Sequence, residues 1–469
     1  MATQFTVVVV GGGISGLSVG WWLRKAGVDV CVLESEQEIG GTMKTIRKDG
    51  WLIETGPNSA LETTPLVRTL ANDLGIGDEL VYGNDLANNR YVVRAGELHP
   101  LPVSPAAFVR SRLWTTGAKL RVLKEPFIGK AEKEESVAEF VIRRLGRELL
   151  DYAVNPFVAG VFAGNPEELS VQAAFPKLYA LEQNYGGLIR GQILGARERK
   201  RRSERAKDRA RLFAFRDGMQ TLPRAVAKAL GPRVRTGAEV HRIRGRSDAT
   251  TGYVVEGVRE GATFEIHAES VIVAIPSFRA TPLVEPFDIS LARALRDISY
   301  PPVAEVFVGL RESDVKRELD GFGFLVPEKE HREILGTIWS SSLFPGRAPR
   351  GYVALTTFLG GSRQPEVLRR SDQELIDTVL RELRELIQAD GTPVEARVVR
   401  WERAIPQYRL GYSQVLNQLQ AFENRWPGWF FSGNYRGGIS VSDCIINSDT
   451  LARRAIEYLR SRQVELQHQ

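Results

Sequence analysis

Cysteine and histidine are scarce, with two and five residues in a chain of 469. Cys31 and Cys444 make no C-x-x-C pair, which argues against a dithiol redox motif and a cysteine-built metal site. The histidines are scattered, and no metal is expected. No Ser-His-Asp set and no carboxylate pair stands out. No run of about 18 apolar residues occurs, so no spanning helix is expected. The first strand begins within about six residues of Met1, and no signal peptide is expected ahead of it. A cytoplasmic protein follows, with attachment to a membrane surface left open. Neither sign of charge dominates: 63 Lys and Arg stand against 57 Asp and Glu, a net +6 that permits an anionic partner without requiring one.

What is present is a folded composition, 43% hydrophobic and 26% charged, in a chain longer than one core usually serves. Two or three domains are expected. The organising stretch is Thr6 to Gly16, TVVVVGGGISG. Thr6 to Val10 reads as a buried strand, because it is β-branched, uncharged and too short for a helix. It runs into Gly11, Gly13 and Gly16, a G-x-G-x-x-G turn, with Gly12, Ile14 and Ser15 between them. The first glycine allows the tight turn, the second lets backbone approach a pyrophosphate, and the third lets the next helix pack closely. That helix, Ile14 to Ala26, turns its free N–H groups toward the phosphates. A second strand, Asp29 to Leu33, ends at Glu34, 18 residues past Gly16, where an acid for a ribose hydroxyl is expected. An acid there, followed by Ser35, favours FAD or NAD over NADP.

Further along, Gly40, Gly41 and Thr42 read as a permissive loop beside the cofactor. Lys44 reads as a phosphate partner or a solvated charge. Trp51 to Thr55 reads as a strand ending in Gly56, Pro57, Asn58 and Ser59, a turn able to bring backbone donors to a ring edge. Helical patterns follow at Ser104 to Arg112 and Ser136 to Asp151. The basic run Arg197 to Arg211 is either a solvated loop or a contact for lipid headgroups. Nucleic acid is not expected, since no aromatic residues interleave with the charges. Strands are expected at Ala238 to Ile243, Val271 to Pro276, Glu305 to Leu310, Ile334 to Trp339 and Tyr352 to Phe358. Helices are expected at Ser371 to Gln388 and Ser442 to Leu459.

The order β-G-x-G-x-x-G-α-β-E, then GG, then strand-GPNS resembles the flavin amine oxidase superfamily. Longer blocks resemble the protoporphyrinogen oxidases within it: NPFVAGVFAGNPEELSVQAAFPKL from Asn155, FRDGMQTLP from Phe215, IPQYRLG from Ile405 and GNYRGGISVSDCI from Gly433. The resemblance spans about Phe5 to Leu459, almost the whole chain. It implies an α/β fold: a Rossmann-like FAD-binding domain, a mixed-sheet substrate domain and a helical membrane-binding insertion. Residues 1–96, 212–281 and 423–469 would form the first, 282–422 the second and 97–211 the third. It implies noncovalent FAD, a porphyrinogen substrate and dioxygen as acceptor, with no catalytic side chain beyond the flavin. Protoporphyrinogen IX is the expected substrate. Coproporphyrinogen III oxidation, a general amine oxidase and a non-catalytic escort protein of the same architecture are the alternatives. Val240 would touch the adenine side, and Ile439, Ser440 and Val441 the flavin. Trp401 would lie near the flavin, and Ile338, Ala354 and Phe358 would line the substrate pocket. Arg90 would bind a substrate propionate, where the residues alone also allow a surface charge. A homodimer is possible, and peripheral attachment to the inner face of a membrane is expected from the apolar residues Leu98, Leu101, Val103, Phe108, Leu113 and Trp114 with Lys119, Arg121 and Lys124 behind them.

Overall fold

The computed structural model describes residues 3–87, 89–201, 210–245 and 252–467. Its first sheet joins Val234–Arg235, Val30–Leu33, Thr3–Val10, Ala262–Val273, Tyr253–Arg259 and Ala238–Gly245 in spatial order, with Trp429–Phe431 also paired to Ala262–Val273. The pairings of Thr3–Val10 with Val30–Leu33 and Ala262–Val273 are parallel, as are those of the short strands Val234–Arg235 and Trp429–Phe431. Val7 and Val9 enter one core with Leu17, Leu23 and Leu222, while Val8 and Val10 enter another with Leu283, Leu291 and Phe422. Both faces are covered, which is why this strand reads as unbroken β-branched residues. Because the strands are parallel, Val10, Leu33, Val273 and Phe431 end at the same edge of the sheet. The last helix, Val441–Gln467, packs on the first, Ile14–Lys25, and Ser448 Oγ donates to the Ser15 carbonyl at 2.9 Å.

The second sheet runs Glu395–Trp401, Val303–Arg311, Tyr352–Gly360, Gly336–Ile338, Gly321–Leu325, Asn89–Arg94 and Glu97–Pro100. Alternation along each strand sorts its faces. Ala304, Val306, Val308, Val353, Leu355 and Leu359 pack against Leu375, Val379 and Leu383 of the helix Asp372–Ile387. Ser371 and Glu374 close that helix's start as a capping box, and left-handed Gln388 ends it. The opposite face carries Val303, Glu305, Phe307, Ala354 and Phe358, and the register adds Ile338, Arg90 and Trp401 to it.

Two expected boundaries move. The hairpin Asn89–Arg94 with Glu97–Pro100 lies wholly in the second sheet, so the break drawn between residues 96 and 97 cuts a hairpin. The helices Ser277–Val284, Ile289–Arg296 and Tyr412–Arg425 pack into the core of the first sheet, so the second sheet's unit is narrower than 282–422.

Between Pro100 and Leu212 the chain is helical. The helix expected over Ser136 to Asp151 breaks at Gly146, whose φ of 99° gives Val137–Arg144 and then Arg147–Leu149. A π-helical turn, Leu150–Val154, leads into Asn155–Phe162. A buried ionic knot holds these pieces: Arg144 Nε donates to Glu182 at 2.7 Å and Nη1 to Glu125 at 3.1 Å. Glu125 also accepts the Leu188 and Ile189 N–H groups that open the helix Leu188–Arg201. Most of the basic run Arg197 to Arg211 lies outside the described residues.

Candidate flavin and substrate site

The glycine turn is shaped from its inside. A Cβ on Gly16 would sit 1.9 Å from the Gly11 carbonyl oxygen, and one on Gly11 would sit 2.7 Å from the Ala274 oxygen. Gly11 also has a φ of 115°. On the other side, a Cβ on Gly13 would meet nothing within 4 Å. Gly13 is the N-cap of Ile14–Lys25 and supplies no side-chain cap, and the helix has no acid in its first turn. Among the described residues, no anionic group is therefore set against the first N–H groups of that helix, from Ile14, Ser15 and Gly16, which is the donor set a pyrophosphate needs. Glu34 is buried, and its Oε2 accepts the Gly12 N–H at 2.6 Å while Oε1 accepts from Ser35 Oγ and the Glu36 N–H. The carbonyl of Glu34 accepts the Ala238 N–H, which starts the strand that bulges at Val240. Val240 is half-buried, two residues beyond Ala238 on that strand.

Gly40, Gly41 and Thr42 press on this turn. Gly40 donates to the Gly12 carbonyl at 2.9 Å, and a Cβ on Gly41 would come 3.3 Å from Gly13 Cα. A Cβ on Gly56 would come 2.0 Å from the Thr42 oxygen, so the turn of Gly56, Pro57, Asn58 and Ser59 stacks on the same loop. Lys44 closes the end of the hairpin Thr45–Lys48 with Trp51–Glu54 through its backbone carbonyl, which accepts from the Thr55 N–H and Oγ1. Trp401 reaches this place from the second sheet, its Nε1 donating to the Thr55 carbonyl at 2.8 Å.

At the C-terminal edge of the first sheet, Gly437 and Gly438 have φ of 85° and 127°. Ile439 packs between the core of the first sheet and that of the helical insertion. Ser440 Oγ and Asp443 cap the start of the last helix, and Val441 is buried under it.

The four substrate-side candidates share one sheet face but not one environment. Arg90 is exposed, lies over the Phe322 ring at 5.7 Å, and makes no ion pair among the described residues. Partial desolvation lowers its pKa, as for a cation held against protein without a counter-charge. Ile338 is half-buried and borders a small cavity with Asn58 and Thr356. Phe358 is half-buried and packs on the cluster of Ala159, Ala163 and Val303. Ala354 corrects the expectation that it lines the pocket: it is wholly buried, and Trp51, Ile53 and Phe307 cover it.

The family model for flavin containing amine oxidoreductases matches residues 14–456. The chain belongs to the flavin-containing amine oxidoreductase family. Among its curated relatives, protoporphyrinogen oxidase 2 of Arabidopsis thaliana is 33% identical, the match covering 97% of this chain and 94% of the relative. Coproporphyrinogen III oxidase of Bacillus subtilis is 28% identical over 97% of this chain and 98% of its own. A solved protein from Exiguobacterium sp. 255-15 shares the fold with a TM-score of 0.80 at 22% identity, covering 98% of this chain and 99% of that one. The protein is thus a flavoprotein oxidoreductase with FAD as its cofactor, and the donor set around Gly13 and Glu34 fits that group.

Two residues of this oxidoreductase went unassigned from sequence. Tyr408, in the IPQYRLG block, is buried, and its hydroxyl accepts the Gly438 N–H at 3.1 Å while donating to the Asn434 carbonyl. It is stacked on Tyr412, whose hydroxyl donates to the Tyr435 carbonyl. Glu305, a single acid inside VAEVFVGL, is the other, and that isolation in an apolar strand was its signal. Cys444 is buried, and burial pushes its thiol up to about 11, so it is an inert packing group between the first and last helices.

Proposed function

We propose that this flavoprotein oxidises protoporphyrinogen IX to protoporphyrin IX with dioxygen, giving hydrogen peroxide, in heme and porphyrin synthesis. The near full-length likeness to the Arabidopsis protoporphyrinogen oxidase carries the reading. The Gly11–Gly16 turn and its helix would hold the pyrophosphate, with Lys44 at the phosphates and Gly41 and Thr42 behind them. Glu34 with Ser35 would hold the ribose and the Val240 backbone the adenine side. The Gly56–Ser59 turn, Trp401 and the Ile439–Val441 segment would border the ring.

When bound, FAD supplies a two-electron acceptor. Three two-electron rounds take six hydrogens from the ring, four from the meso carbons and two from the pyrrole nitrogens, and in each round one electron pair and two protons leave with dioxygen as hydrogen peroxide. The meso C–H is already weak, so the chain's task is to orient and to exclude water. Arg90 would clamp one propionate in the planar, bidentate manner open to a guanidinium. Ile338 and Phe358 would bound the macrocycle. Without that anchor the ring could rotate and present the wrong carbon.

Coproporphyrinogen III is the second reading, favoured by the Bacillus relative. It carries two further propionates where protoporphyrinogen has vinyls, and those would need cations. The sheet face beside Arg90 is otherwise apolar at Ile338 and Phe358, which favours the vinyl-bearing substrate. Turnover with each porphyrinogen, followed by porphyrin fluorescence and peroxide release, tests the choice. Protoporphyrin with three peroxides per ring supports the reading; turnover of coproporphyrinogen alone overturns it.

Membrane attachment belongs to the same proposal, with different residues from those the sequence suggested. Leu113 and Trp114 are buried, and Leu98, Leu101 and Phe108 pack on the cores. Val103 is exposed, and it is joined by Val109, Leu120, Leu123 and Phe127, which is 85% exposed. Arg110, Arg112 and Lys124 flank them without ion-pair partners among the described residues, while Lys119 and Arg121 bond backbone carbonyls. Apolar residues with basic flanks on short helices suit an interfacial contact, and no described helix is long and apolar enough to cross a membrane.

A further inference from the structure

Glu305 lies midway along Val303–Arg311 on the cofactor-facing side of the second sheet, paired across to Phe358 and Val399. The residue is 2% exposed. Its hydrogen-bond partner is Asn58, whose Nδ2 donates to Oε1 at 2.9 Å, and it forms no ion pair among the described residues. Glu54, the acid whose charge reaches it, is also raised by burial, but a set of donors opposes that rise. Glu54 accepts from Arg347 at 2.6 Å, from Thr45 Oγ1 at 2.6 Å and from the Met219 N–H at 2.9 Å. Glu305 has no such set, and an unpaired buried carboxylate is too costly to keep.

Asn58 belongs to the turn that stacks on the glycine loop. Its Nδ2 also donates to the Gly56 carbonyl at 3.1 Å. Gly56 lies on Thr42, Gly41 on Gly13, and Gly40 on Gly12, each without room for a side chain or with a direct hydrogen bond. The contacts therefore run without a gap from the second sheet to the dinucleotide turn. Trp401 gives a second tie, from the same sheet face to Thr55.

We propose that Glu305 is a positioning residue of the redox site: by accepting the Asn58 amide it sets the Gly56–Ser59 turn, and with it the Gly40–Thr42 loop, against the dinucleotide turn. The inference rests on the reading of these loops as the flavin site, not on the identity of the porphyrinogen. Glu305 acts as the uncharged acid. Burial pushes its pKa up to about 8, the Asn58 amide opposes this, and Glu54 adds to it. The charged groups bearing on it are Glu54 and, as the partner of Glu54, Arg347; Phe358 and Val399 flank it. Above that pH the ionised side chain is repelled by Glu54 and draws water into the joint.

The test is FAD affinity of the deflavinated full chain, read by flavin fluorescence from about pH 6 to pH 10, for wild type, Glu305→Gln and Glu305→Leu. Wild type should lose about tenfold in affinity as pH passes 8, when repulsion from Glu54 and hydration of the new carboxylate loosen the joint. Glu305→Gln keeps an uncharged acceptor, so it should match wild type at pH 6 within about threefold and stay flat. Glu305→Leu should bind FAD about tenfold more weakly at every pH. The same alkaline fall in wild type and Glu305→Gln, or a wild type flat to pH 10, overturns the proposal. None of the three arms uses substrate, so a chain that oxidises some other porphyrinogen leaves the outcome readable.

Discussion

In the first sheet the candidate ligand groups are backbone amides at strand ends; in the second they are side chains standing on one face. The first arrangement needs neighbours in sequence: Val10 must be followed by a turn whose glycines nearly touch, as Gly16 does the Gly11 carbonyl. The second needs register. Arg90, Ile338, Phe358 and Trp401 come from four strands separated by long stretches of chain, and they share a face because paired residues do. On the proposed reading, the first sheet would hold the cofactor by close-packed turns that leave no room for a methyl at Gly11 or Gly16, and the second would select the substrate by side-chain chemistry that tolerates exchange.

That contrast orders the mutational outcomes. The largest effect belongs to Gly16→Ala. Its methyl must displace the turn backbone, and overpacking of this kind typically costs about 1–3 kcal/mol, so purified protein should carry under about a tenth of the wild-type flavin. Absorbance at the flavin bands reads it; full flavin content would break the close-packing argument. Arg90→Ala comes next, with FAD binding unchanged. A charge-assisted bond of about 1.5–3 kcal/mol predicts roughly a 10- to 150-fold loss in kcat/KM, mostly in KM, with Arg90→Lys recovering part. Unchanged kinetics in both variants return Arg90 to a surface charge.

Glu305 sharpens the comparison through stability. Its native pKa is raised above the unfolded value, so the stability it contributes is complete below about pH 4.5 and is lost as pH rises toward 8. Apoprotein melting temperature should fall across that window for this reason, and the fall should be shallower in Glu305→Gln. Equal slopes would mean that Glu305 titrates as in the unfolded chain.

Leu123→Glu with Phe127→Glu should release the protein from anionic liposomes at low salt while leaving detergent-phase turnover within about twofold, as exposed positions away from the site allow. A wild-type protein that never sediments with such liposomes would remove the membrane proposal outright. The smallest effects belong to the five histidines. Each alanine variant should stay within about tenfold of wild-type kcat, since a positioned acid–base group is worth about 10²–10⁴. A larger loss at one of them would show proton chemistry by a histidine.

Legibility in the sequence followed the same division. The turn, its helix and Glu34 were readable from Thr6 to Glu34 because each contact is local. The helix Asp372–Ile387 was legible, each end falling one residue inside the expected Ser371 to Gln388. Ala354 was misplaced because nothing near it in sequence says that Trp51 will cover it. Leu113 and Trp114 were taken as surface because apolar residues in a short connection between helices read alike whether they pack inward or outward. Glu305 was passed over because its role depends on Asn58, 247 residues away.

The central claim is that the first sheet's flavin accepts electrons from a porphyrinogen held on the second sheet's apolar face by Arg90. Anaerobic mixing of the FAD-loaded chain with protoporphyrinogen IX, and separately with coproporphyrinogen III, reads that transfer directly as bleaching of the flavin bands. The account predicts rapid bleaching with protoporphyrinogen IX, slow or absent bleaching with coproporphyrinogen III, and a slower first reaction in Arg90→Ala at limiting substrate. Flavin that stays oxidised with protoporphyrinogen IX would contradict it.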